Sequence, residues 1–239
     1  MILVRNCPHN NGVYTFIDEK DKVVIKSSYS LDGIARLNNE YAGYNWYFKK
    51  NPILNDSRLE LFENENKLYS RLYVKFFSGA AGNCYRHIEY NKEHLMIAVK
   101  TYNELWPRVN GGLSPLHGDF SLGNLIFNGS SLTIIDWEHF QLDVAPWGFD
   151  LVNLLYETVF FSFKGKEKLS NADCKVFVEV KKAISELLEP NGGFQCSHDD
   201  LTKFISANTF LWGSLVNKLP VMKFSNEQYD FLQVLEREG

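Results

Sequence analysis

The run His117-Gly118-Asp119-Phe120-Ser121-Leu122-Gly123-Asn124, followed by Ile134-Ile135-Asp136-Trp137-Glu138, gathers two aspartates and an asparagine in one short stretch. These residue types suit the transfer of a phosphoryl group to an alcohol. That reaction needs a carboxylate to orient the acceptor hydroxyl and take its proton. It also needs oxygen ligands to fix Mg2+ across the phosphates of the donor. Asp119 fits the first task, and Asp136 with Asn124 fits the second.

The spacing gives the geometry. Leu125-Ile126-Phe127 and Leu132-Thr133-Ile134-Ile135 are apolar runs separated by Asn128-Gly129-Ser130-Ser131. Asn-Gly between two such runs predicts a hairpin, because both residues tolerate positive φ. A hairpin returns the chain to its start, so Asn124 and Asp136 are expected at one end, where two oxygen ligands suit a hard cation. Asp119, in a loop between Gly118 and Gly123, can project toward the same point without ligating the metal. His117 reads as a structural residue that holds the loop through a side-chain hydrogen bond, and Glu138 as a solvated charge in preference to a residue that touches the metal shell or the substrate. A lone His-Gly-Asp carries little weight, since Asp and Asn beside Gly are ordinary turn residues. The specificity lies in the combination with the later Asn, the hairpin and Ile-Asp-Trp-Glu.

The segment resembles the aminoglycoside phosphotransferase and choline kinase family, which shares the protein-kinase-like fold. That family carries His-Gly-Asp where protein kinases carry His-Arg-Asp, and Ile-Asp where they carry Asp-Phe-Gly. The motif core covers residues 113 to 151, and the layout fits most of the chain. The resemblance implies that Asp119 is the catalytic base, that Asn124 and Asp136 ligate Mg2+, and that ATP is the donor. In Ala145-Pro146-Trp147-Gly148-Phe149-Asp150-Leu151, Asp150 matches an acid that braces the catalytic loop in such folds, although a helix start also favours an acid there. Val23-Val24-Ile25-Lys26 resembles the kinase strand ending in the phosphate-binding lysine. Lys26 would reach the α- and β-phosphates and Val24 would lie against the adenine. Glu40, 14 residues on, matches the helix glutamate that pairs with that lysine. Lys75, Phe76 and Phe77 match the hinge whose backbone bonds the adenine edge. One region departs from the pattern: Asn6-Cys7-Pro8-His9-Asn10-Asn11-Gly12, where a phosphate-covering loop belongs, has a single glycine.

The elements that must position these residues are legible to differing degrees. Residues 13–18 and 23–28 read as a strand pair about a polar turn, and 68–77 also as strand. Residues 30–50 read as a helix capped by Ser30 or Asp32. Apolar spacing predicts further helices over 87–109, 149–163, 171–189, 198–217 and 226–237. The expected architecture is α+β: a small, mostly β N-terminal lobe with one helix over residues 1–79, which binds nucleotide. A mainly helical C-terminal lobe over 80–239 would carry the catalytic hairpin and the acceptor site.

The 239 residues, 45% hydrophobic and 23% charged, have a soluble globular balance. A net charge of −4 offers no basic field for nucleic acid. The four cysteines, Cys7, Cys84, Cys174 and Cys196, form no metal-binding or disulfide pattern. No run approaches the roughly 20 apolar residues of a membrane-spanning helix. With no signal-peptide pattern, a cytoplasmic protein is expected.

The function implied is an ATP- and Mg2+-dependent phosphotransferase acting on a small-molecule hydroxyl, with a sugar or saccharide acceptor ranked first. The alternatives are a choline/ethanolamine- or aminoglycoside-type kinase and a non-catalytic kinase-fold nucleotide-binding protein. GTP stays open as donor. Trp137, Phe140, Trp147, Tyr156, Phe160 and Phe161 read as core rather than as an acceptor pocket. Glu186, Glu189, Asp199 and Asp200 read as solvent-facing acids.

Overall fold

The structure is a computed structural model that describes residues 2–6, 12–50, 58–64, 67–75, 77–83, 86–108, 113–163 and 170–188. Most of the expected phosphate-covering loop, Phe76, and the helices expected over 198–217 and 226–237 lie outside these residues. The chain divides into two units, residues 1–78 with 136–141, and residues 79–135 with 142–239.

The first unit is an antiparallel sheet with one long helix. Its strands are β1 (Ile2–Asn6), β2 (Val13–Asp18), β3 (Val23–Ser28), β4 (Arg58–Asn64) and β5 (Lys67–Lys75), in the order β1-β2-β3-β5-β4. Opposed residues of antiparallel strands share a face. Val24 stands opposite Val74 and Lys26 opposite Leu72. Leu72 and Val74 are buried, so Lys26 projects from the face that carries this unit's core. Helix α1 (Leu31–Lys50) follows β3 and starts where Ser30 Oγ accepts the N–H of Gly33 at 3.1 Å, an N-cap bond. Its buried stripe comprises Ile34, Leu37, Glu40, Gly43, Tyr44, Tyr47 and Phe48, at helical spacing. Gly43 is there because Trp137 is there: a Cβ at position 43 would lie 2.5 Å from Trp137 Cβ.

The second unit contains β6 (Ala80–Ala81), α2 (Ile88–Leu105), β7 (Ser114–Leu116), β8 (Leu125–Asn128), β9 (Ser131–Ile134), β10 (Gln141–Ala145, whose first residue belongs to the first unit), α3 (Phe149–Phe163) and α4 (Asn171–Leu188). The sequence predicts α2 as far as residue 109, but it stops at Leu105. Pro107 excludes the helical conformation for the residue before it, and Trp106 is extended with ψ 124. The β8–β9 hairpin forms, though not with both Asn128 and Gly129 in its turn. Asn128 pairs with Ser131, which leaves Gly129-Ser130 as a two-residue loop in which Gly129 takes φ +58. A positive φ at the first loop residue, and not at the second, is the II′ pattern. Strand β6 adds to the free edge of β8, and β7 pairs with β10.

Ring contacts build the core of this unit. Tyr102 stacks on Trp106 at 4.2 Å, and Phe120 and Trp147 meet Tyr102 edge-on. Trp106 Nε1 donates to Pro115 O at 2.8 Å, so the largest buried ring leaves no polar atom stranded. Trp137, Phe140, Trp147, Tyr156 and Phe161 are all core side chains of their units. Asp173, fully buried at the start of α4, accepts from Ser170 N, Ser170 Oγ and Glu89 N, and lies 2.8 Å from His87 Nδ1. One carboxylate thereby caps its own helix and ties down the start of α2. Burial raises its pKa, yet these bonds outweigh burial and hold it below the ordinary carboxylate value.

Candidate active site

In the second unit the His117–Asn124 loop is closed by hydrogen bonds on every side. Asp150, one residue into α3 and 1% exposed, accepts His117 N–H at Oδ2 (2.9 Å) and Gly118 N–H at Oδ1 (3.1 Å). Burial pushes Asp150 up to about 7, although the two N–H bonds pull it down. His117 is fully buried. Its Nε2 donates to Ile135 O at 3.1 Å, so its Nδ1 is the acceptor for Asp119 N–H at 3.2 Å. Gly118 takes φ +83, which only glycine adopts without strain. The loop then closes with Asn124 N–H bonded to Ser121 O, and Ile135 N–H bonded to Asn124 O at 3.0 Å.

Asp119 is half-buried, and Asn124 orders it. Asn124 Nδ2 donates to Asp119 O at 3.0 Å and to Asp119 Oδ2 at 2.9 Å. With the amide nitrogen committed to Asp119, the other end of the carboxamide, Oδ1, is an oxygen donor suited to a hard cation.

In the first unit a different chemistry surrounds Asp136. Lys26 Nζ lies 2.5 Å from Asp136 Oδ1 and 2.8 Å from Glu40 Oε1, so one ammonium serves two carboxylates. Burial lowers the Lys26 pKa, but Asp136 and Glu40 outweigh it and hold the ammonium well above its usual range. Glu40 is 1% exposed, and burial pushes it up to about 7 against the pull of Lys26. Tyr44, one turn beyond Glu40, accepts Asp136 N–H on its hydroxyl at 3.3 Å. Asp136 itself takes φ +64, a left-handed conformation uncommon for any residue but glycine and strained unless its surroundings enforce it.

Glu138 is not the solvated charge that the sequence predicts. It is 18% exposed, with Oε1 3.2 Å from Arg36 Nη1 and 3.4 Å from His139 Nε2. Burial raises its pKa, but His139, Lys26 and Arg36 bring it down to about 2. Val24 is half-buried on the Lys26 face of β3, Phe77 is half-buried after β5, and Phe76 lies outside the described residues.

Sequence reasoning missed Arg36, Tyr44 and Glu157, and it read Glu138 as a solvated charge. Arg36 and Tyr44 flank Glu40 at intervals of four on α1, and this spacing was the available signal. Glu138 sits two residues past Asp136. Glu157 lies seven residues past Asp150, on the same side of α3. Burial, with Asp119 adding to it, pushes Glu157 up to about 8.

The model of the phosphotransferase enzyme family (APH) matches residues 62–170. No curated protein sequence matches the chain. Among solved structures, an amicoumacin kinase, hAmiN, described in complex with AMP-PNP, Ca2+ and Ami, aligns at a TM-score of 0.53 and 10% identity. That alignment covers 99% of this chain and 90% of the kinase. At this identity the likeness is one of fold. WaaP in complex with acyl carrier protein (TM-score 0.46, 12% identity, 93% and 89% covered) is a looser match. So is the ADP-bound aminoglycoside phosphotransferase APH(2'')-Ib (0.37, 13%, 86% and 90%). The matched segment contains Asp119, Asn124, Asp136 and Asp150, and it lies on an α+β chain in which the sheet and long helix precede the β8–β9 hairpin. Over residues 62–170 the chain is similar to the phosphotransferase enzyme family, and its fold is similar to that of the amicoumacin kinase.

Proposed function

We propose that the protein moves the γ-phosphoryl group of ATP to a hydroxyl of a small molecule, with Asp119 as the base and a divalent cation, Mg2+, held by Asn124 and Asp136. The 2.9 Å bond from Asn124 Nδ2 to Asp119 Oδ2 carries this reading. It orients the carboxylate of the base and turns the oxygen of the same carboxamide to a ligand's task. Ile135, whose N–H is bonded to Asn124 O, directly precedes Asp136, so the second oxygen ligand follows in the chain. The donor set is hard oxygen, as Mg2+ requires. Among the described residues no three or more His, Cys, Asp and Glu side chains come together as a metal cluster. A cation here would therefore draw most of its remaining oxygens from phosphate and water. Bound Mg2+ would neutralise charge on the phosphates. Lys26, charged and set between Glu40 and Asp136, would add a second positive contact for them. The fold-related amicoumacin kinase, described with AMP-PNP and Ca2+, supports a nucleotide with a divalent cation.

For the acceptor, a sugar or saccharide hydroxyl is the first reading. An amine-bearing acceptor, of the choline/ethanolamine or aminoglycoside type, is the second, and Glu157 favours it. This carboxyl is raised by burial and by Asp119, and the positive charge of an ammonium on the acceptor would oppose that rise. A cytoplasmic setting suits an ATP-dependent enzyme. No helix among the described residues is long and apolar enough to cross a membrane.

The test is ADP release from ATP and Mg2+ against a panel of sugars, amino alcohols and aminoglycosides, with Asp119→Asn as the control. Acceptor-stimulated release lost in Asp119→Asn is the expected result. Nucleotide binding without stimulated release for any hydroxyl compound would favour a non-catalytic nucleotide-binding protein.

A further inference from the structure

Helix α1 presents to the Asp136 segment a pair of charges that the proposed chemistry does not use. Arg36 Nη1 lies 3.2 Å from Glu138 Oε1, and the two side chains are 21% and 18% exposed. An ion pair so largely withdrawn from water is weakly screened by salt. Arg36 precedes Glu40 by four residues, so both project from one side of α1. That side thus serves two ends: Glu40 reaches Lys26, and Arg36 reaches the residue two past Asp136.

Asp136 needs such anchorage. Its φ of +64 persists only where neighbours enforce it. Lys26 grips its carboxylate now, but in the proposed reaction Lys26 turns to the donor phosphates and a cation takes that place. Three of the contacts from α1 that then still hold the segment are the Tyr44 hydroxyl on Asp136 N–H, Trp137 packed on Gly43, and Arg36 on Glu138. Tyr44 holds the chain at Asp136 itself and Gly43 one residue on. Arg36 closes the turn beyond, and of the three it alone is a contact between opposite charges.

We propose that Arg36 and Glu138 are positioning residues whose ion pair locks the Asp136 segment to α1 and thereby holds the Asp136 carboxylate ready for a divalent cation. This rests on the phosphotransferase reading of the same site. The test is ATP affinity with Mg2+ and with a chelator, for wild type, Arg36→Met, Glu138→Gln and Arg36→Lys. The ratio of the two affinities isolates the metal's contribution. A general loss of structure lowers both affinities and leaves the ratio unchanged.

Loss of a partner that orients a metal ligand commonly weakens the metal's effect roughly 10- to 100-fold. The ratio is expected to fall on that scale in Arg36→Met and Glu138→Gln. Arg36→Lys, which keeps the charge, is expected to recover most of it. An unchanged ratio in Arg36→Met and Glu138→Gln, beside a wild type that responds to Mg2+, overturns the positioning role and leaves the phosphotransferase reading standing. A wild type whose ATP affinity is indifferent to Mg2+ overturns both.

Discussion

The loop around Asp119 and the segment around Asp136 hold their aspartates by opposite means. The Asp119 loop is fixed mainly by backbone N–H groups and the neutral side chains of His117 and Asn124, with the buried carboxyl of Asp150 accepting two of those N–H bonds. The Asp136 segment is fixed by charge: Lys26 between two carboxylates, and Arg36 on Glu138. Hydrogen bonds to backbone are short-ranged and directional, and they preserve one geometry whatever the ligand state. The Lys26 pair with Asp136 is exchangeable, because an incoming cation or phosphate can replace one partner, while the Arg36–Glu138 pair stays in place. In the proposed reaction the base, Asp119, would keep one position between turnovers, whereas the metal ligand Asp136 and the phosphate-binding Lys26 would change partners in each one. The difference in construction follows that difference in task.

The comparison can be tested from its largest effect downward. Asp119→Asn removes the proposed base and leaves the loop's backbone bonds intact. Turnover should fall roughly 10²- to 10⁴-fold while the melting temperature and ATP–Mg2+ binding hold. Retained turnover would remove Asp119 from that role. Asp150→Ala attacks the frame of the same loop and strands two buried N–H groups, each worth about 1–3 kcal/mol. Urea unfolding should show a loss of that order, smaller in Asp150→Asn, which keeps an acceptor.

In the charged segment the strained backbone gives a finer test. Glycine adopts φ +64 freely and alanine does not, so Asp136→Gly should be more stable than Asp136→Ala by about 1 kcal/mol. Equal stability of the two would mean that the backbone at 136 relaxes. The smallest effect is in the pH dependence. Burial raises folded Glu40 to about 7 from an ordinary 4.5. The stability tied to its protonation is therefore fully present below 4.5 and lost as pH rises through 7. Glu40→Gln, measured by denaturation from pH 4 to 8, should flatten that part of the profile. Asp173, whose folded pKa is lowered, works the other way and should lose its contribution as pH falls.

Local features were legible in the sequence. The hairpin, α1 with its Ser30 cap, and α3 were readable because turn residues, a capping hydroxyl and helical periodicity act over a few residues. The early end of α2 was readable too, through Pro107, but the glycines further on drew the boundary outward. Strands β7 and β10 were not readable. Three and five residues long, they owe their existence to pairing across many residues rather than to any alternation of their own. The same limit applies to Arg36 and Glu138. Each looks like a surface charge until the fold brings residues 36 and 138 together and takes both from water.

The most direct measurement is the melting temperature of wild type and Asp136→Ala with ATP, with and without Mg2+. A ligand that binds only the folded state, at a hundredfold excess over its dissociation constant, adds about 2.7 kcal/mol of stability. The wild type should show a Mg2+-dependent rise that Asp136→Ala lacks. An equal Mg2+-dependent rise in both proteins would contradict the assignment of Asp136 as the metal ligand.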